Sequence, residues 1–201
     1  MIVIAITGNA GSGKSAAISH LQHLGIKSIS ADMINASLLQ YSRYLVTFIE
    51  KALDQVFSSA DGNLDTSSLR QSAFSSPHSR TSLERILHPV ILDNIELQLS
   101  LLPNNDYCVV EIPLLFEAGW HERFPAILLI TSSYQNLSSR LYSRPGIDEQ
   151  AASSILDNQQ PDSQKFKHAS DIVLNNGDLA DLYLCLDDLH NTLTKHKDAD
   201  S

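Results

Sequence analysis

Short apolar runs alternate along the chain with stretches in which apolar residues recur every three or four positions. The runs "IVIAI" (Ile2–Ile6), "YCVVEI" (Tyr107–Ile112), "AILLI" (Ala126–Ile130) and "DIVL" (Asp171–Leu174) predict buried parallel strands. "KSIS" (Lys27–Ser30) is a weaker fifth. After Gly13 the apolar positions Ala17, Ile18, Leu21 and Leu24 fall at helical spacing, with Gly25 placed to end that helix. His20 and His23 lie off this stripe and are expected to face solvent. Strands separated by helices predict an α/β domain with a parallel sheet. From Asp32 to about Leu102 no strong strand interrupts the helical pattern, which reads as a helical insertion over residues 32–102. Within it "DGNLD" (Asp61–Asp65) turns into a helix, and Pro89 is expected to start or kink one inside Leu83–Leu102. A second helical segment, Asp148 to about His168, breaks the later alternation. The expectation is one domain over residues 1–201 with two helical excursions from its core sheet.

Composition narrows the function. The 201 residues are 43% hydrophobic and 18% charged, typical of a globular domain, and the apolar runs are too short to cross a bilayer. A net charge of −9 argues against broad binding to nucleic acid or an anionic membrane, but a few convergent cations can still hold a small polyanion. Seven aspartates after residue 170 (Asp171, Asp178, Asp181, Asp187, Asp188, Asp198, Asp200) read as a solvated face and tail. No secretory signal pattern opens the chain, and Cys108 and Cys185 are expected as reduced core thiols, which fits a cytoplasmic protein.

The chemistry starts after the first strand. "GNAGSGKS" matches G-x-x-x-x-G-K-[ST], with Gly8, Gly13, Lys14 and Ser15 at the fixed positions. Glycines let the backbone curl so that N–H groups point inward on phosphate oxygens. The cradle is expected to run from Gly8 through Asn9, Ala10, Gly11, Ser12, Gly13, Lys14 and Ser15 to Ala16. The helix that begins there adds its N-terminal dipole. Lys14 can reach the outer phosphates of ATP, and the Ser15 hydroxyl can ligate Mg²⁺. The strand before and the amphipathic helix after give the motif its context, a P-loop in a three-layer α/β/α fold.

With that loop in place, "SADMI", "DGNLD", "LHP", "EIPLLFEAG" and "NNG" follow in an order that resembles the dephospho-CoA kinase family from Ile6 to about Leu182. The resemblance implies transfer of the ATP γ-phosphoryl group to the 3′-hydroxyl of dephospho-CoA, the last step of coenzyme A synthesis. It implies Asp32 as the general base that orients the acceptor hydroxyl, where the residues alone equally allow a helix N-cap. Glu111 would stand near Mg²⁺, or simply bond backbone at a strand end. Leu87, His88 and the run Pro113, Leu114, Leu115, Phe116 and Glu117 would line the acceptor site, though Leu114 to Phe116 read equally well as core. Arg140 and Arg144, at the entry to a lid over residues 144–168, would meet the transferring phosphoryl, or offset a helix dipole. Lys165 and Lys167 would add to that electropositive rim or lie solvated at the surface, and Asn175 would support the adenine end of ATP or merely cap a helix.

Several positions depart from the family pattern. Ser30 stands for a usual acid, Ala36 and Thr66 for usual arginines, Leu137 for a usual glutamine, and Pro145 for the acid of Arg-Asp-Gly. Two other readings therefore stand beside the kinase: a kinase for another small alcohol or nucleotide, and a nucleotide binder with little activity.

Overall fold

The computed structural model describes residues 1–59, 63–103 and 107–195, with Phe74 described by its backbone only. In chain order the elements are β1 (Ile2–Thr7), α1 (Lys14–His23), β2 (Lys27–Ser30), α2 (Ala31–Tyr41), α3 (Arg43–Leu53), α4 (Thr66–Ser75) and α5 (Pro77–Leu101). There follow β3 (Tyr107–Glu111), β4 (Ala126–Thr131), α6 (Tyr134–Tyr142), α7 (Glu149–Asp157), α8 (Asp162–Lys165), β5 (Asp171–Leu174) and α9 (Leu179–Lys195). Each strand lies where the apolar runs predict it, within one residue at either end. Among the described residues no helix is long and apolar enough to cross a membrane.

The chain divides into two compact units. One takes residues 1–29 with the described residues from 102 onward and carries the sheet; the other is Ser30–Leu101.

The sheet runs in the order β2-β3-β1-β4-β5. β1 pairs in parallel with β3 and β4, and β4 pairs in parallel with β5. The register sets Ile6 beside Glu111, Thr7 beside Leu129, and Thr131 beside Leu174. The carboxyl ends of four strands therefore share one edge, where parallel α/β sheets bind their ligands. β1 is central, and Ala5 and Ile6 have no solvent exposure. Ile4, Ile6, Leu128 and Ile130 bury with Ala17, Ile18 and Leu21 of α1 and with Leu182 and Leu186 of α9. Each of the leucines and isoleucines contributes roughly 1.5–3 kcal/mol on burial, and together they hold α1 against the sheet. α1 closes as its sequence predicts: Gly25 has φ 87° and donates to the Gln22 carbonyl, while Ile26 donates to Leu21.

In the helical unit, α5 packs against α2, α3 and α4. Ile49 and Ile95 are each 1% exposed, and Leu45, Leu69, Leu87 and Ile91 are also buried. α5 passes through Pro89 without starting there, so of the two expectations, a start or a kink, the start is ruled out. Its start is at Pro77, where a missing N–H costs nothing, and the Ser76 hydroxyl accepts from the Ser79 amide at 3.0 Å. Asp65 caps α4 by accepting from the amides of Ser67 and Ser68, each at 3.0 Å. Asp61 and Gly62 of the expected turn lie outside the described residues, as do Asp198 and Asp200 of the expected acidic tail.

Two other expectations change. Cys108 is buried, and burial pushes its thiol up, but Cys185 is exposed on α9. His20 is not a solvent-facing residue: its ring stacks on Tyr183 with centroids 4.2 Å apart, and Nε2 lies 2.7 Å from the Asp187 carboxylate. His23 is exposed as expected.

Candidate active site

The loop Gly8–Gly13 leaves the end of β1 and enters α1, and two of its glycines are sterically required. At Gly8, φ is 149° and a Cβ would overlap the Ile130 carbonyl oxygen of the neighbouring strand. At Gly13, φ is 101° and a Cβ would overlap the Asn175 side-chain amide. The Ser12 amide closes the turn on the Asn9 carbonyl at 3.1 Å. Lys14 folds over the loop, donating from Nζ to the carbonyls of Gly8 at 2.7 Å and Asn9 at 3.0 Å. Ser15 is exposed in the first turn of α1, a turn whose N–H groups have no intrahelical acceptor. The glycine conformations and the position of Lys14 fit the loop expected from the motif, with one amendment. The Ala10 amide, expected to face phosphate, donates instead to the Gln159 side-chain oxygen at 2.8 Å.

A buried asparagine braces the other side. Asn175 is 4% exposed; its side chain donates to the Ser12 carbonyl at 2.8 Å, and its amide donates to Thr131 at 2.7 Å. The next residue, Asn176, accepts from the Ser133 amide at 2.8 Å and the Ser132 hydroxyl at 3.0 Å. The turn after β5 is therefore tied to the loop and to the end of β4, beyond what capping a helix requires.

Arg140 lies in the last turn of α6, but its guanidinium does more than offset a dipole. It donates to the carbonyls of Gly11 at 3.5 Å and Gly177 at 3.3 Å and to the Asn175 side chain at 3.5 Å. A cleft of about 420 Å³ is lined here by Gly13, Arg140, Asn175, Gly177, Asp178 and Leu179. Arg144 is exposed just beyond the helix. Leu137, which stands for the family's glutamine, is 3% exposed and packs with Leu141, Ala152 and Leu156.

The remaining predicted residues separate into surface and core. Glu111 is half-buried at the end of β3. Of the run after it, Leu114 is 47% exposed, Leu115 is fully buried and Phe116 is 5% exposed, stacked on His121 at 5.4 Å. Leu115 and Phe116 are core residues, the second of the two readings open to them. Pro113 is half-buried, and its carbonyl accepts from the Thr7 hydroxyl at 3.3 Å. Glu117 is buried apart from a tenth of its side chain; it accepts from the Gln160 amide at 2.9 Å and lies 3.5 Å from the Lys165 ammonium.

In the helical unit Asp32 is exposed in the first turn of α2. The N-cap is Ser30, whose hydroxyl accepts from the Met33 amide at 3.4 Å, so the capping alternative for Asp32 falls away. Leu87 is buried in the core of the helical unit, while His88 is half-buried and held below the ordinary histidine range by its burial.

Lys165 is the largest surprise. Expected at a solvated rim, it has no exposure at all, and its ammonium donates to the Asn9 side-chain oxygen as well as facing Glu117. Sequence reasoning named Lys165 for an electropositive rim or a solvated surface without foreseeing its burial, and it passed over Gln159, because a polar segment such as "QQPDSQK" has no apolar period to signal burial. Lys167 is exposed.

The family model for dephospho-CoA kinase matches residues 2–181. The chain belongs to the dephospho-CoA kinase family. Relatives bearing that name include one from Acinetobacter baylyi, 36% identical over 98% of this chain and 100% of its own length. Another, from Thiobacillus denitrificans, is 33% identical over 94% of each chain. Among solved structures, dephospho-CoA kinase from Campylobacter jejuni superposes with a TM-score of 0.73 at 26% identity, covering 97% of this chain and 98% of that one. A shikimate kinase from Acinetobacter baumannii shares the fold alone, with a TM-score of 0.54 at 14% identity over 96% of this chain and 94% of its own. Members of the dephospho-CoA kinase family are ATP-dependent kinases.

Proposed function

We propose that the chain transfers the γ-phosphoryl group of ATP to the 3′-hydroxyl of dephospho-CoA, yielding coenzyme A and ADP. The observation that carries this reading is the convergence of two cations, Lys14 and Arg140, on one glycine-locked loop. The loop amides and Lys14 bind the outer phosphates, and Arg140 meets the charge that spreads over the equatorial oxygens as the bond to the bridging oxygen breaks. Arg144 extends this field from the expected lid over residues 144–168. Asp32, an exposed carboxylate opening the helical unit, accepts a hydrogen bond from the acceptor hydroxyl and aligns its oxygen for in-line attack. The hydroxyl proton passes to that carboxylate as the new P–O bond forms. His88, Pro113 and Leu114 are proposed to contact the acceptor, and the helical unit to supply most of its site.

The Ser15 hydroxyl and the Glu111 carboxylate are hard oxygen donors, the kind Mg²⁺ takes. They are the residues that would hold it, and its charge would offset that of the phosphates. Ser30, in place of an acid, still caps α2.

The test is mass-spectrometric detection of coenzyme A formed from ATP and dephospho-CoA. ADP release with nucleosides or nucleoside monophosphates, and none with dephospho-CoA, would overturn the acceptor. ATP binding without any acceptor-dependent ADP release would overturn catalysis.

A further inference from the structure

Asn9 is where three restraints on the phosphate loop meet. Its carbonyl accepts from the Ser12 amide at 3.1 Å and from Lys14 Nζ at 3.0 Å, and its side-chain oxygen accepts from Lys165. Asn9 is 8% exposed and Lys165 is not exposed at all. A buried ammonium is tolerated only where acceptors and a counter-charge meet it. Both are present: the Asn9 amide oxygen and the Glu117 carboxylate, which lies 3.5 Å away and also accepts from the Gln160 amide. Six residues before Lys165, Gln159 accepts from the Ala10 amide at 2.8 Å. Between these two, Asp162 accepts a hydrogen bond from the Thr131 hydroxyl at the end of β4. The segment following α7 is thus bonded to two consecutive residues of the loop and to the strand beside it.

We propose that Gln159 and Lys165 form a strap that sets the shape of the loop's first turn and so tunes ATP affinity without touching ATP. Both are positioning residues. Lys165 acts through Asn9, which in turn orients Lys14. Gln159 acts by occupying the Ala10 amide, which fixes the edge of the cradle. The proposal rests on the reading of this loop as an ATP site, and it adds the residues that hold the loop in its binding shape.

The experiment measures ATP affinity of the full chain by calorimetry, which needs no acceptor, together with steady-state kinetics. Lys165→Met keeps the volume and removes the charge. It is expected to weaken ATP binding by about ten- to a hundredfold. At saturating ATP, kcat should fall by about tenfold or less, since Asn9 helps to orient Lys14, while KM for the acceptor stays within about threefold. Lys165→Met combined with Glu117→Gln should recover part of the loss, because no buried carboxylate is then left unpaired. Gln159→Met, on a half-buried residue, should weaken ATP binding by about three- to tenfold at unchanged melting temperature, and it decides the matter if Lys165→Met fails to fold. A fall in melting temperature with ATP affinity unchanged in both variants would reduce the strap to packing and overturn the proposal. Wild-type chain that binds ATP in this way but leaves dephospho-CoA untouched overturns the acceptor reading and leaves the strap intact.

Discussion

Polar side chains in the sheet-bearing unit reach far along the chain, whereas those in the helical unit stay close to home. Lys165 bonds Asn9 across 156 residues, Gln159 bonds Ala10 across 149, and Asn175 bonds Ser12 across 163. In the helical unit Glu50 accepts from Ser58 across eight residues and Asp65 from Ser67 across two. The helical unit also leaves large apolar side chains in solvent, Tyr44 at 84% and Val56 at 80% exposure. An anion cradle works because its donors are fixed before the ligand arrives, and only distant elements locked together can fix a loop so firmly. Helices capped one at a time need no such network. Damage to the first unit should therefore abolish chemistry, whereas damage to the second, Asp32 apart, should loosen structure locally.

The greatest loss is expected from Lys14→Ala, about a thousandfold or more in kcat with the fold intact by circular dichroism, since the cation meets charge that develops in transfer. Asp32→Asn should lower kcat by about two to four orders of magnitude while ATP binds as before in calorimetry. Wild-type turnover by that variant would show that Asp32 is not the base, and would leave the helical unit without a chemical role. Ile49→Ala sharpens the contrast: about 2–4 kcal/mol of stability lost, read in urea, with hydrogen exchange accelerated in Ser30–Leu101 and ATP affinity unchanged. Ser30→Ala should cost about 1 kcal/mol through loss of the α2 cap.

The smallest effect concerns His88. Burial holds its ring below the ordinary 6.5, against an opposing pull from Glu84, so the folded chain favours the neutral form. Well above pH 6.5 both folded and unfolded chains carry it neutral, and it adds no pH dependence. As pH falls through 6.5 the unfolded chain protonates first, and stability is lost until the folded-state value is passed. His88→Gln should flatten this part of the decline, measured as urea midpoints at about pH 7.5 and about pH 5.

Strand positions and the loop were legible because each rests on a local pattern: an apolar run, or glycines at set spacing before a helix. Ser30, Lys165 and Gln159 were not. Ser30 caps a helix whose start could be drawn at either of two neighbouring polar residues, and spacing alone does not choose between them. Lys165 and Gln159 take their roles from residues far away in the chain, and a polar side chain looks the same in sequence whether solvated or paired. The run Leu114–Phe116 was readable as apolar but not as inside or outside, since alternation over three residues is too short to decide. Pro89 does not start a helix for a different reason: a proline removes one helical donor, and a helix of 25 residues packed on three others tolerates that loss.

The order in which the chain is synthesised acquires a meaning from the packing of α1. Ile18 and Leu21 are buried against Leu182 and Leu186, and Ser12 is braced by Asn175, so the earliest-made part of the sheet-bearing unit waits for some of the last. The helical unit closes within one contiguous stretch. A ribosome carrying a chain not yet extended past Leu186 thus holds no finished phosphate site, and protease digestion of such stalled chains should cut the segment before Ser30 while sparing the helices after it. Chains stalled short of Leu186 are therefore expected to retain no ATP on a filter, and longer ones to retain it.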